Sequence, residues 1–228
     1  MPPARPRIVA ALALALALPL PAIAQTASVP ETDFDHYLLA LTWMPSFCEF
    51  EGDAREDARC APGSAHGWMV HGLWPQQTGG RWPEFCETPH RNPSRRDTAA
   101  QADLYGAGHA AWHQWNKHGR CSGLSAGDYY ALTRAALDRF TLPDLFDGVT
   151  DTLTVSPAVI EHAFIEANPA LDEQMMITTC RSDAIVELRL CLTHDLMPRI
   201  CDAELFLREC ALDAARLPGL RIHPSAQP

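Results

Sequence analysis

Eight cysteines, Cys48, Cys60, Cys86, Cys121, Cys180, Cys191, Cys201 and Cys210, set the strongest limit on what this chain can become. They are even in number, none precedes residue 48, and no two form a Cys-x-x-Cys pair. That pattern argues against a zinc ribbon or a dithiol redox motif and for four disulfides closed in an oxidising compartment. The start of the chain agrees. Arg5 and Arg7 precede an apolar run over 8–18, followed by Pro19, Pro21 and the small-residue triplet Ala22-Ile23-Ala24. A charged end, an apolar stretch too short to cross a bilayer and small residues at its close are the order of a secretory signal. Residues 1–24 therefore read as a cleaved leader and 25–32 as a flexible tail, with the periplasm or the outside of a bacterial cell as destination. Which cysteine pairs with which stays open on spacing alone.

Cleavage after Ala24 removes two arginines and no acids, leaving 16 basic against 28 acidic side chains and a net charge of −12. About 200 residues remain, enough for one well-filled core. They read as a single domain over 33–217 with a flexible end over 218–228, a monomer with no membrane partner. The acidic total excludes a protein that coats nucleic acid by charge alone. It leaves room for an enzyme that gathers a few phosphates in a local positive cleft.

Patterning gives a mixed fold. Residues 34–43 are rich in aromatic and aliphatic side chains and predict a buried strand; 67–74 predict a second, stopped by Pro75. A long loop spans 76–98. Helix is expected over 101–117, broken near Gly106 and Gly108, and again from Ser125 or Asp128 to about Phe140. Ser156-Pro157 opens a third helix toward Ala167. Residues 175–180 predict a strand. Over 184–193, Val186, Leu188, Leu190 and Leu192 alternate with Glu187, Arg189 and Thr193, which predicts a half-buried antiparallel strand with its polar side to solvent. Residues 203–210 read as a short strand or turn. The fold class is α+β: one domain, a central antiparallel sheet with several packed helices, stabilised by disulfides.

Two stretches carry chemistry. One is His113-Gln114-Trp115-Asn116-Lys117-His118-Gly119-Arg120-Cys121. On a helix, side chains four apart share a face, which pairs His113 with Lys117 and Gln114 with His118; Gly119 is expected to end the turn as a left-handed cap. The surface is cationic and rich in donors, as a phosphoryl group requires. The other is Val70-His71-Gly72-Leu73-Trp74-Pro75, where a strand exit holds an imidazole at a cleft edge. Two imidazoles are what acid–base chemistry on a phosphodiester needs. Trp74, Trp82 and Phe85 are candidates for stacking bases, with Arg91, Arg95 and Arg96 as phosphate-attracting neighbours. Trp112 and Trp115 are expected to face the core. His109-x-x-x-His113 has metal-like spacing, but Gln114 follows where a zinc hydrolase would carry a glutamate base, so zinc is a secondary reading and no metal or cofactor is assigned.

These two motifs resemble the ribonuclease T2 family, secreted base-unspecific endoribonucleases. The first is similar to the family block around Val70 to Pro75. The second is similar to the block of form His-Glu-Trp-x-Lys-His-Gly-x-Cys at His113 to Cys121, and the similarity extends from about Asp33 to Cys210. The resemblance implies an antiparallel sheet with packed helices, a single-stranded RNA substrate and no cofactor. It also implies the pairs Cys48–Cys60, Cys86–Cys121, Cys180–Cys210 and Cys191–Cys201. His71 and His118 would be the acid–base pair, Lys117 would stabilise charge on the phosphorane, and His113 would bind the phosphate. Gln114 stands where the family has glutamate; an amide can donate to a phosphoryl oxygen but cannot carry charge. A catalytically weak RNA-binding protein is the alternative that this substitution raises.

Overall fold

The computed structural model describes Met1 and residues 33–222. The remainder of the expected leader, the tail over 25–32 and residues 223–228 lie outside the described residues. Within them run β1 (His36–Trp43), α1 (Met44–Phe47), β2 (Trp68–Gln76), α2 (Arg95–Ala99), α3 (Ala102–Tyr105), α4 (Gly108–Lys117) and α5 (Ala126–Leu137). β3 (Leu153–Val155), α6 (Pro157–Ala167), β4 (Met176–Arg181), β5 (Ala184–Leu192), α7 (Ala203–Phe206) and β6 (Ala215–Leu217) follow. No helix among the described residues is long and apolar enough to cross a membrane.

The sheet is antiparallel at its centre, with β1 between β2 and β5 and β4 on the far side of β5. β6 touches β5 in parallel at Ala184 and carries the short β3 on its other edge. One face holds the core. Tyr37, Leu39, Leu41 and Trp43 of β1, Leu188, Leu190 and Leu192 of β5, and Val70 and Leu73 of β2 meet Trp115 of α4, Tyr129 and Ala136 of α5, and Ile160 and Phe164 of α6. Each large apolar side chain so buried contributes about 1.5–3 kcal/mol. The other face pairs Leu38 with Trp74 and Cys191, Ala40 with Gly72 and Arg189, and Thr42 with Glu187. It carries the polar side chains of Thr42, Glu187 and Arg189 beside a small apolar cluster of Leu38, Cys191 and Cys201, and it forms the floor of a cleft rather than open surface.

Several expectations are corrected. Pro75 does not stop β2, which reaches Gln76 because β2 is a sheet edge and proline need not donate to a further strand there. Gly119 is not a left-handed cap: His118 closes α4, Gly119 enters a short 3₁₀ turn, and the positive φ falls on Gly123. Gly119 is small for a packing reason, since a Cβ there would meet Trp115 Cε3 at 2.6 Å and Tyr129 Cδ1 at 2.7 Å. Residues 203–206 are helix, and Trp112 is 44% exposed instead of core-facing. The end expected to fray from Pro218 is docked as far as Arg221: Trp43 Nε1 donates to Pro218 O, Leu220 N to Val149 O, and Arg221 pairs with Asp53.

The disulfides are Cys48–Cys60, Cys86–Cys121, Cys180–Cys210 and Cys191–Cys201, the set that the family resemblance implies. Cys86–Cys121 ties the loop after β2 to the end of α4 across a separation of 35 residues. In the chain-entropy account, closing a loop of that length stabilises by about 4 kcal/mol. Removing the bridge as Cys86→Ala/Cys121→Ala is expected to lower unfolding free energy by up to that amount, measured by guanidinium denaturation with the other three bridges intact.

Candidate active site

His71 owes its position to a β-bulge. Ala40 pairs with Gly72 and Leu41 with Val70, so His71 is the extra residue on β2 with no partner on β1. Val70 and Leu73 both enter the core although three apart, which regular alternation forbids and the extra residue permits. The bulge turns the imidazole out of the core, leaving its side chain 42% exposed at the cleft. Tyr129 of α5 anchors the neighbouring backbone through its hydroxyl to Leu73 O at 2.9 Å.

Ala111 and Trp115 drive α4 into the core at zero exposure, so the helix must present Gln114 and the residue after its last turn, His118, to the cleft. His113 is exposed there, and Lys117 Nζ lies 3.7 Å from Glu84 Oε1. Trp74 joins the two motifs. Its ring stacks on His118 with centroids 5.1 Å apart and meets His71 edge-on at 5.0 Å, which bounds the separation of the imidazoles at about 10 Å. Its Nε1 donates to Gln114 Oε1 at 3.0 Å. The glycine of the first motif is required by this contact, because a Cβ on Gly72 would sit 2.2 Å from Gln114 Oε1 and 2.3 Å from Trp74 Nε1.

The two imidazoles live in different surroundings. His118 is buried, and burial pulls its pKa down to about 3, with Lys117, His71 and His113 adding to the effect. Among the described residues His118 Nδ1 has no hydrogen-bond partner, so a protonated ring would carry an N–H with nothing to accept it. His113 is lowered as well, by burial and then by Lys117 and His71. His71 Nδ1 instead lies 2.5 Å from Glu187 Oε1. Burial opposes ionisation of Glu187, yet His71 and Arg189 hold its carboxyl well below the usual range, so Nδ1 carries the hydrogen and donates.

Two cavities meet at this group. One, of about 290 Å³, is walled by Trp74, Gln76, Trp82, His36, Lys117 and His118; the other, of about 950 Å³, by Thr42, Phe47, Phe50, Arg181 and Trp112. His71, His113, Gln114 and Glu187 line both. Of the proposed stacking residues, Trp74 and Trp82 are in the cleft, while Phe85 is 52% exposed outside it with positive φ. Arg91, Arg95 and Arg96 do not line it either; the cation against Trp82 is Arg208, 4.2 Å from its ring centre. Among the described residues, no three His, Cys, Asp or Glu side chains converge as a metal centre would require, and His109 faces Asp57 at 3.4 Å.

Sequence reading missed Glu187, Arg189 and His36. Alternation puts Glu187 and Arg189 on the polar side of β5, and only the covering loop and α4 make that side a cleft floor. His36 is 5% exposed and lines the cleft beside Asp202 at 3.9 Å.

The profile of the ribonuclease T2 family matches residues 34–201. A ribonuclease of Aeromonas hydrophila is 36% identical over 100 residues, covering 44% of this chain and 43% of that protein. A probable ribonuclease of Haemophilus influenzae is 30% identical over 133 residues, covering 54% and 48%. The match thus spans about half the length of these curated relatives. Among solved structures, an RNase-related protein from Calystegia sepium superposes with a TM-score of 0.62 over 81% of this chain and 97% of that one, at 19% identity. RNase NT, solved in complex with 5′-AMP, gives 0.59 over 82% and 100%, also at 19%. At such identity the likeness concerns the fold. The sequence profile reaches further, through both histidine motifs and on to Cys201, and this chain belongs to the ribonuclease T2 family.

Proposed function

We propose that this protein is an endoribonuclease that cleaves single-stranded RNA by transesterification, with His71 and His118 exchanging protons across one phosphodiester. The observation that carries the reading is the pair of imidazoles that both pack against Trp74 where two cavities join. A dinucleotide laid through that junction would put its phosphorus among His71, His113, Gln114, Lys117 and His118. A base would enter each cavity, with Trp74 and Trp82 as aromatic walls on one side.

RNA supplies its own nucleophile, since the 2′-hydroxyl is adjacent to phosphorus, so no metal-bound water is needed. His118, kept neutral by burial, is the group suited to take the 2′-hydroxyl proton. The 2′-oxygen then bonds to phosphorus as the bond from phosphorus to the 5′-oxygen breaks. His71, through Nε2, gives its proton to that departing oxygen. A 2′,3′-cyclic phosphate and a 5′-hydroxyl result. Lys117, His113 and the Gln114 amide face the phosphoryl oxygens, where charge develops. The four disulfides and the secretion-type leader fit work in the periplasm or outside the cell, as a monomer.

The direct test is cleavage of a defined oligoribonucleotide in EDTA with analysis of the ends. Many turnovers yielding 2′,3′-cyclic ends, and none on the matching DNA, are expected; loss in chelator with rescue by zinc would favour the metal reading. Binding without turnover would favour the RNA-binding alternative that Gln114 raises. His71→Ala or His118→Ala is expected to lower kcat by about 10²–10⁴-fold each.

Acid tolerance follows from His118. A base must be neutral to act, and a depressed pKa keeps it so at pH values below the ordinary imidazole range. Gln114→Glu introduces a carboxylate that favours the imidazolium, raising the His118 pKa. The ascending limb of kcat/KM against pH is expected to move to higher pH, and an unmoved limb would remove His118 as its source.

A further inference from the structure

Glu187 belongs to neither histidine motif, yet its carboxylate is the one in direct contact with a motif imidazole among the described residues. It is 8% exposed and fully engaged. Oε1 accepts from His71 Nδ1, and Oε2 accepts from Arg189 Nε at 2.9 Å and Nη2 at 2.7 Å. Arg189 in turn lies 5.4 Å over the Trp74 ring, the same ring that stacks on His118. Both residues stand on β5, whose register against β1 sets Glu187 opposite Thr42 and Arg189 opposite Ala40. The carboxylate therefore reaches His71 from a strand at the centre of the sheet, where little can move.

The other charged and titratable groups that line the two cavities with His71 are of both signs. α4 and its end contribute His113, Lys117 and His118, and β5 contributes Arg189; of the acids, Glu84 is paired with Lys117, Asp202 with Arg199, Asp57 with Arg59 and Glu51 with Arg181, and Glu204 and Glu56 also line the cavities. Glu187 is the acid in direct contact with the His71 ring, and it supplies that ring's counter-charge. We propose that Glu187 is a positioning residue that fixes His71 as the proton donor: it holds Nδ1–H, leaves Nε2–H facing the scissile phosphate, and stabilises the charged ring, while Arg189 locks the carboxylate in place. When the Nε2–H bond breaks and the proton joins the 5′-oxygen, the ring is left neutral with its hydrogen on Nδ1. Glu187 remains a carboxylate throughout. This deepens the acid–base reading above and rests on it.

The test compares kcat and KM across pH for the wild type, Glu187→Gln and Glu187→Gln/Arg189→Gln. The double variant removes the arginine charge that the single one leaves unpaired. Glu187→Gln preserves shape and can still accept from Nδ1, so it isolates the charge. Its kcat is expected to fall about 10²-fold with KM unchanged, and the descending alkaline limb to move to lower pH. Wild-type limbs in both variants, or a loss confined to KM, would overturn the proposal. If the variants do not fold, ring ¹⁵N NMR of the wild type decides, with His71→Gln used for assignment. A neutral His71 carrying its hydrogen on Nδ1 supports the pairing, and one carrying it on Nε2 overturns it. The spectrum is read without substrate, so a wild type that cleaves no RNA would sink the nuclease reading alone.

Discussion

The spacing of two imidazoles by one indole is the contact from which the rest of the site takes its form. Trp74 stacks on His118, packs against His71 in a T-shaped contact and donates its Nε1–H to Gln114. Those three partners come from two elements that share no local sequence, the bulged strand β2 and the helix α4. Stacking and one hydrogen bond are each modest terms, worth about 1 kcal/mol. They suffice because Leu73 beneath β2 and Trp115 beneath α4 are already buried in the core, so the indole has only to set a distance between rigid bodies. Gly72 admits the contact by offering no Cβ where the indole nitrogen and the amide oxygen meet.

The same scaffold treats its two histidines in opposite ways. His118 is buried against cationic neighbours with one ring nitrogen unmatched, an environment that rejects a proton. His71 is half-open to the cleft and leans on a carboxylate that is itself clamped by an arginine. A general acid–base pair works when environment pulls the preferences of its members apart, one empty and one loaded at the same pH. Under the proposed mechanism, burial keeps the first neutral, and a carboxylate stands against the ring of the second. Charge in the cleft is mixed, with Lys117, Arg189 and Arg208 against Glu84, Glu187, Asp202 and Glu204, and three of those four acids are paired: Glu84 with Lys117, Glu187 with Arg189 and Asp202 with Arg199.

How much of this could be read beforehand depends on whether the information is local. The histidine motifs are readable because each compresses its chemistry into a few consecutive residues, and the strand at 184–192 is readable because alternation has period two. The meaning of that strand's polar side is not local. Glu187 and Arg189 look like solvent-facing residues until the loop after β2 is folded back over them, held by Cys86–Cys121 and by Phe85 N donating to Lys117 O. The bulge at His71 escaped for a related reason. Val70 and Leu73 look out of phase for a strand, and only their pairing with β1 reveals that one residue has been inserted. Short β3 and β6, three residues each, carry too little pattern to stand out and exist because they pair with one another.

Gln114, the departure from the family pattern, is constrained more tightly than an exposed amide would be. Indole Nε1–H can only donate, so the amide oxygen must face Trp74 and the amide nitrogen must point away from it. A glutamate in the same rotamer would spend one oxygen on Trp74 and present the other where Gln114 presents N–H. The exchange therefore keeps the contact that spaces the imidazoles and swaps an acceptor for a donor on the cleft side. Toward an anionic phosphoryl oxygen that donor is favourable without any proton being taken up, whereas a carboxylate would first have to be protonated. What the amide gives up is negative charge beside His118, and the deep burial of that imidazole is then left unopposed in keeping it neutral.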